Sequence, residues 1–167
     1  PYGIGSFIMG GLYAVTVVAG IHHMYTLIDL GQLARYGYTY WLPLASAANV
    51  AQGGAALAVA LKSKDTKVKS MALPSALSAC MGITEPAIFG VNLRYFKPFI
   101  GGLLGGACGA LYASIVGLGA TGTGVTGIFG ILLHLHMPLQ YIIMMAISFG
   151  VSFAVTWVIW KPEEVKA

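Results

Sequence analysis

Apolar residues run through this chain in long stretches, and the polar positions between them gather in a few places. Residues 1–28 carry no charge, and Asp29 and Arg35 then bound a tyrosine-rich polar connection, G-Q-L-A-R-Y-G-Y-T-Y-W. Residues 41–61 are again uncharged and lead into the most basic run of the sequence, K-S-K-D-T-K-V-K at 62–69. Residues 71–93 are apolar except for Glu85, and Arg94 and Lys97 follow. Residues 99–116 are uncharged, 117–138 are rich in Gly and Thr and carry two histidines, and 139–160 run into the tail K-P-E-E-V-K-A. Several of these stretches reach the roughly 20 residues with which an α-helix crosses a hydrocarbon core of about 30 Å.

The charges orient these elements. Residues 62–69, Arg94 with Lys97, and Lys161 with Lys166 form three basic clusters, and the positive-inside rule puts all three in the cytoplasm. The stretch between the first two must then enter and leave by one face, as a re-entrant hairpin. Pro74, Gly82, Pro86 and Gly90 are the breaks expected of it. Residues 99–116 then cross outward and 139–160 return. The expected fold class is therefore an all-α integral membrane protein, with several transmembrane helices plus re-entrant helical hairpins.

Composition sharpens this reading. The apolar class makes up 57% of the 167 residues and charged residues only 8%, against about 25% charged in soluble domains. A mean hydropathy of +0.81 leaves too little polar surface for a soluble globule of this size, and it excludes disorder, which needs low hydrophobicity. The net charge of +4 resides in short breaks between apolar stretches, a placement that fits membrane orientation and not a nucleic-acid-binding face. Cys80 and Cys108 form no C-x-x-C pair, so packed thiols are expected and not a disulfide or metal site. The chain opens at Pro1 with no basic leader, an internal-looking start expected of a truncated chain.

Glu85, in M-G-I-T-E-P-A-I-F-G, carries the most chemistry. A carboxylate at membrane depth costs on the order of 3 kcal/mol, so it is paired or lines a water-filled cavity. The proline after it turns the backbone away from helical angles and removes a donor, which sets the acid at a helix break. The alternative is a simple pair with Arg94 or Lys97 near the interface.

A second break, A-G-I-H-H-M-Y-T, again runs Gly-Ile into two polar residues. On a helix His22 and His23 would point about 100° apart, so one of them is expected to face a shared cavity, unless it is simply a satisfied core histidine. Two such breaks are what inverted-repeat transporters place around a midplane site. Asn49 and Gln52 lie three residues apart on one helical face, as ligand contacts or as interhelical amide glue. His134 and His136 lack further metal ligands and are expected to pack, and the glycines between 117 and 130 do not follow a phosphate-binding order. No metal or cofactor is implied.

The run S-A-L-S-A-C-M-G-I-T-E-P-A-I-F-G-V-N-L-R, preceded by N-V-A-Q-G-G-A-A-L-A-V-A-L and G-I-H-H, resembles the sugar-translocating EIIC domain of bacterial phosphotransferase-system (PTS) permeases. The likeness is to the glucose superfamily, in its sucrose, trehalose and β-glucoside branch. It covers nearly the whole chain and corresponds to the C-terminal part of that domain, the transport domain, across residues 1–167.

The resemblance implies translocation of a sugar through the bacterial inner membrane by a multi-pass protein. Sucrose is the first candidate, beside trehalose, maltose and β-glucosides. Glu85 and Thr84 would bind the sugar, His22 or His23 would contact the hydroxyl to be phosphorylated, and Asn49, Gln52 and Asn92 would be further contacts. A phosphocysteine on an EIIB domain would phosphorylate the sugar, with EIIA and the phosphocarrier HPr upstream. The family's N-terminal helices, which form its scaffold and homodimer interface, have no counterpart here, and neither does the EIIB domain. Phosphotransferase activity would belong to the complete permease. An ion- or proton-coupled transporter and an inactive membrane fragment stay open as alternatives.

Overall fold

The computed structural model describes residues 3–162. Their regular elements are all helical: α1 (Ile4–Val18), a 3-10 turn (His22–Met24), α2 (Tyr25–Tyr36), α3 (Leu42–Lys62), α4 (Thr66–Cys80), α5 (Glu85–Ala87), a π-helical turn (Ile88–Asn92), α6 (Leu93–Tyr95), α7 (Lys97–Ile115), a 3-10 segment (Gly127–His134) and α8 (Pro138–Ile159). α3, α7 and α8 are long and apolar enough to cross a membrane. Pro43, Pro86, Pro98 and Pro138 sit in the first turns of α3, α5, α7 and α8, where a missing N–H costs nothing.

α3 is the axis of the molecule, buried on nearly all sides. α7 runs antiparallel to it, with Gly102 against Gln52, Gly105 against Ala51, and Gly106 against Ala48. α8 runs antiparallel to α7, seats Ser148 and Ser152 against Gly105, and ties back to α3 through Ser152 Oγ donating to the Ala51 carbonyl at 2.5 Å. α1 packs on α7 through Gly10 and Gly11. Lipid tails give apolar side chains no reason to prefer each other, so such a bundle is held by close backbone approach, which small residues permit.

These directions bring the basic clusters together. Lys62, at the end of α3, donates to the Trp157 carbonyl and, at 2.6 Å, to that of Trp160, capping the end of α8 next to Lys161. α7 begins at Lys97 beside the same end of α3. The stretch between the first two clusters leaves and returns to this end: Val68, Ala72, Ala76 and Ala79 of α4 and Ala87 and Val91 of the returning leg pack in one cluster with Val59, Ala60 and Trp160. Its tip reaches Asn49, 13 residues from Lys62 along α3, or about 20 Å. Lys166 lies outside the described residues.

Two expectations need correction. Pro74 does not break the hairpin, because α4 continues through it; the carbonyl it leaves without a partner belongs to Ser70, on an exposed face. The break falls at residues 81–84, around Gly82. Asp29 and Arg35 do not bound a loop, since both lie within α2. Leu27, Leu30 and Leu33 favour the helix, and the Asp29 carboxylate accepts one hydroxyl on each oxygen from residues elsewhere in the chain.

Candidate functional site

Two breaks meet inside the bundle. After α1 the chain turns at Gly20, which has φ +75°, and sets His22 and His23 in a 3-10 turn. After α4 it turns at Gly82, with φ +103°, so that Thr84 and Glu85 open the returning leg. Ser78 holds this second tip by donating to the Ile83 carbonyl at 2.9 Å and accepting the Ile83 N–H through its own carbonyl at 3.0 Å. The first break thus presents imidazoles and the second a carboxylate, and His22 Nε2 lies 3.8 Å from Glu85 Oε1. That is beyond hydrogen-bond length, so the two groups face each other without a direct bond.

Both breaks border a cleft of about 350 Å³, within the size range of small-molecule sites. His22, His23, Thr84, Glu85 and Asn49 all line it. Glu85 presents a side chain 49% exposed, as a carboxylate lining a watery cavity should, whereas His22 is 16% exposed and its Nδ1 is buried with no partner. The imidazole rings are 4.0 Å apart and both reach the cleft, which corrects the expectation that only one would. A tight turn at the end of α1 replaces the regular helix on which that expectation rested. His22 lies outside the three spanning helices; burial lowers its pKa, His23 lowers it further, and Glu85 opposes them, so the neutral imidazole is favoured.

Asn49 and Gln52 do share a face of α3, but they part in what they touch. Asn49 Nδ2 donates to Thr126 Oγ1 at 2.9 Å and points towards the Gly82 carbonyl at 3.5 Å, at the mouth of the cleft. Gln52 and Asn92 lie outside it, both fully buried. Asn92 Nδ2 donates to Gln52 Oε1 at 2.7 Å and to the Gln52 carbonyl at 2.9 Å, which pins the π-helical turn to α3. His134 is fully buried and stacked on Tyr141, whereas His136 is exposed and only touches the Tyr38 ring. Among the described residues no group of three or more His, Cys, Asp or Glu is placed to hold a metal ion.

The cleft has a wall that sequence reasoning missed. Asp29, 4% exposed, accepts from Thr39 Oγ1 at 2.5 Å and from Thr123 Oγ1 at 2.9 Å. Thr39 and Ala120 exchange backbone hydrogen bonds at 2.8 and 2.9 Å. These contacts fold the glycine-rich segment over the cleft, so that Thr123, Gly124 and Thr126 line it beside Asp29. Tyr13, Tyr25 and Trp41 add aromatic rings to the lining. Asp29 carried a weak signal, as an acid set in an otherwise apolar stretch.

Residues 1–106 match the family described as "Phosphotransferase system, EIIC". The chain belongs to this family. EIIC relatives include the sucrose-specific EIIBC component of Salmonella typhimurium, 47% identical over 159 residues, covering 93% of this chain and 35% of that protein. The sucrose-specific EIIBC component of Bacillus subtilis is 44% identical, with 96% and 36% covered, and the trehalose-specific EIIBC component of the same organism is 40% identical, with 92% and 33% covered. The chain thus spans about a third of the length of these relatives. No solved structure matches it. The family and the apolar helices mark it as a membrane protein.

Proposed function

We propose that this chain is the C-terminal, sugar-binding part of an EIIC domain in the bacterial inner membrane, and that its sugar is sucrose. The observation that carries the reading is the convergence of His22, His23, Thr84 and Glu85 on one cleft from two separate breaks. The sucrose-specific relatives support the choice of sugar. The three basic clusters at one end of the bundle support a cytoplasmic position for that end.

In this reading Glu85 accepts hydrogen bonds from sugar hydroxyls, and a charged acceptor about doubles the strength of each. The second tip enters from the basic end, so the bound sugar is within reach of a phosphoryl donor on the cytoplasmic side. That donor is the phosphocysteine of an EIIB domain, recharged through EIIA and HPr. The sugar hydroxyl oxygen attacks phosphorus, the P–S bond breaks, and the thiolate leaves. A neutral His22 or His23 is suited to take the hydroxyl proton. The remaining helices of the permease supply the scaffold and a homodimer interface.

Thermal unfolding in mild detergent, with sucrose, trehalose, maltose, salicin and glucose, tests the reading. A ligand bound only to the folded chain at a hundredfold excess over Kd stabilises it by about 2.7 kcal/mol. Sucrose is expected to raise the midpoint and Glu85→Gln to abolish the rise. A rise that survives in Glu85→Gln, or a sodium-dependent rise without sugar, would count against it and favour an ion-coupled transporter.

A further inference from the structure

The cleft has a second pole that the phosphorylation chemistry leaves unused. Along α3 its lining runs from Trp41 through Ala45 to Asn49, positions four residues apart on one face. Eight residues of helix separate the ends by about 12 Å, room for two linked sugar rings and not one. The Asn49 end adjoins Gly82 and the tip that carries Thr84 and Glu85. At the Trp41 end the Tyr25 and Trp41 rings lie 4.5 Å apart, and Tyr13 stands 5.8 Å from Tyr25.

Asp29 borders this end. Its two oxygens each accept one hydroxyl, from Thr39 and Thr123, while a carboxylate has about four acceptor sites. Capacity to accept is therefore left on a buried carboxylate that lines the cleft. The Trp41 indole N–H is shut from solvent without an acceptor, a costly state for a donor unless an acceptor arrives. Aromatic faces with polar edges suit a sugar ring, which offers C–H faces and an equator of hydroxyls.

We infer that Asp29, Tyr25 and Trp41 form a second subsite, which holds the ring of a disaccharide that is not phosphorylated and so selects disaccharides over monosaccharides. The ring stacks on Tyr25 and Trp41, a hydroxyl donates to Asp29, and a ring or hydroxyl oxygen accepts the indole N–H after a small turn of the Trp41 ring. The inference rests on the sugar-binding reading above.

The test measures binding of sucrose and of methyl α-glucoside to the chain in mild detergent, for wild type, Trp41→Phe, Trp41→Leu, Tyr25→Leu and Glu85→Gln, together with tryptophan emission. Trp41→Phe keeps a ring and loses the N–H, and is expected to weaken sucrose about fivefold. Trp41→Leu and Tyr25→Leu are expected to weaken it about tenfold or more, with the glucoside unchanged within about twofold. Saturating sucrose is expected to shift the emission of the wild type, and Trp41→Phe to remove that shift. Unfolding midpoints identify a leucine variant that fails to fold, in which case Trp41→Phe and the emission decide.

Sucrose affinity unaffected by Trp41→Phe, no sucrose-dependent change of Trp41 emission, or equal losses for both sugars in a folded variant overturns the second subsite. If Glu85→Gln leaves both sugars bound while Trp41→Leu still discriminates, the role given to Glu85 falls and the subsite stands. A wild type that binds neither sugar overturns both readings for this chain.

Discussion

The two Gly-Ile-polar breaks look alike in sequence and are built to different tolerances. At Gly20 a side-chain carbon would meet nothing within 4 Å. At Gly82 it would lie 2.6 Å from Thr126 Oγ1 and 3.1 Å from the Thr126 carbonyl. The second break is wedged between α3 and the glycine-rich wall, whereas the first stands in open space and is held through α2 by the ties of Asp29. The same local device serves two ends: one turn is fixed by what surrounds it, and the other by what its neighbours reach out to hold. In the proposed reading, the acid that binds the sugar sits on the first kind and the histidines on the second.

Substitutions at the turns should expose this asymmetry most strongly. Gly82→Ala combines a positive φ with a clash against Thr126 Oγ1 and a tight approach to the Thr126 carbonyl, and is expected to cost about 3 kcal/mol and to abolish the sucrose-dependent rise in unfolding midpoint. Gly20→Ala meets only the backbone strain, about 1 kcal/mol, and should retain binding. Equal losses in denaturant titrations of the two variants would erase the distinction.

Asp29→Ala comes next. It removes a charged acceptor from two hydroxyls and frees the wall from α2, at an expected cost of about 2 kcal/mol. Amide exchange should rise at residues 119–126 more than at 81–84; uniform exchange would argue against a wall pinned at two points. Asn49→Ala loses a neutral hydrogen bond to Thr126 and should cost about 1 kcal/mol, read as a smaller fall in the same midpoint.

The smallest effect is on pH. Burial and His23 lower the His22 pKa below its ordinary 6.5, so the unfolded chain binds that proton more readily than the folded one. Stability is then full above about 6.5 and falls as the pH drops through that value towards the lowered one, an effect muted by the partial exposure of the group. His22→Gln should flatten the unfolding midpoint between pH 7 and 5, and a slope unchanged by the variant would move the effect to another group.

Much of this was legible in the residues, for identifiable reasons. Glu85 announced itself because an acid amid apolar residues, followed by proline, has few physical explanations, and the basic clusters fixed one end of the bundle before any helix was placed. Periodicity helped little, since α3 is buried on nearly all sides and has no polar face to read. Asp29 was misread as a boundary because its partner Thr123 lies 94 residues away, and only tertiary folding turns a marginal acid into part of the site. Gln52 and Asn92 were drawn into the site by proximity in motif, whereas the Asn92 amide N–H donates to Gln52 Oε1 between α3 and the π-helical turn, outside the cleft.

The glycines of α7 carry one more consequence, for how the chain can drift over generations. Side-chain carbons at Gly101, Gly102, Gly105, Gly106 and Gly109 would all strike a neighbour, while Leu104 and Ile100 face outward. The usual ranking of positions is therefore reversed along much of this helix: the glycines with least to offer are the hardest to exchange, and the outward-facing bulky residues are interchangeable as long as they stay greasy, unlike the buried Phe99. A deep substitution library of α7 would trace the seam as a ladder of forbidden rungs, mapping the partners of this helix without any ligand or assay of transport.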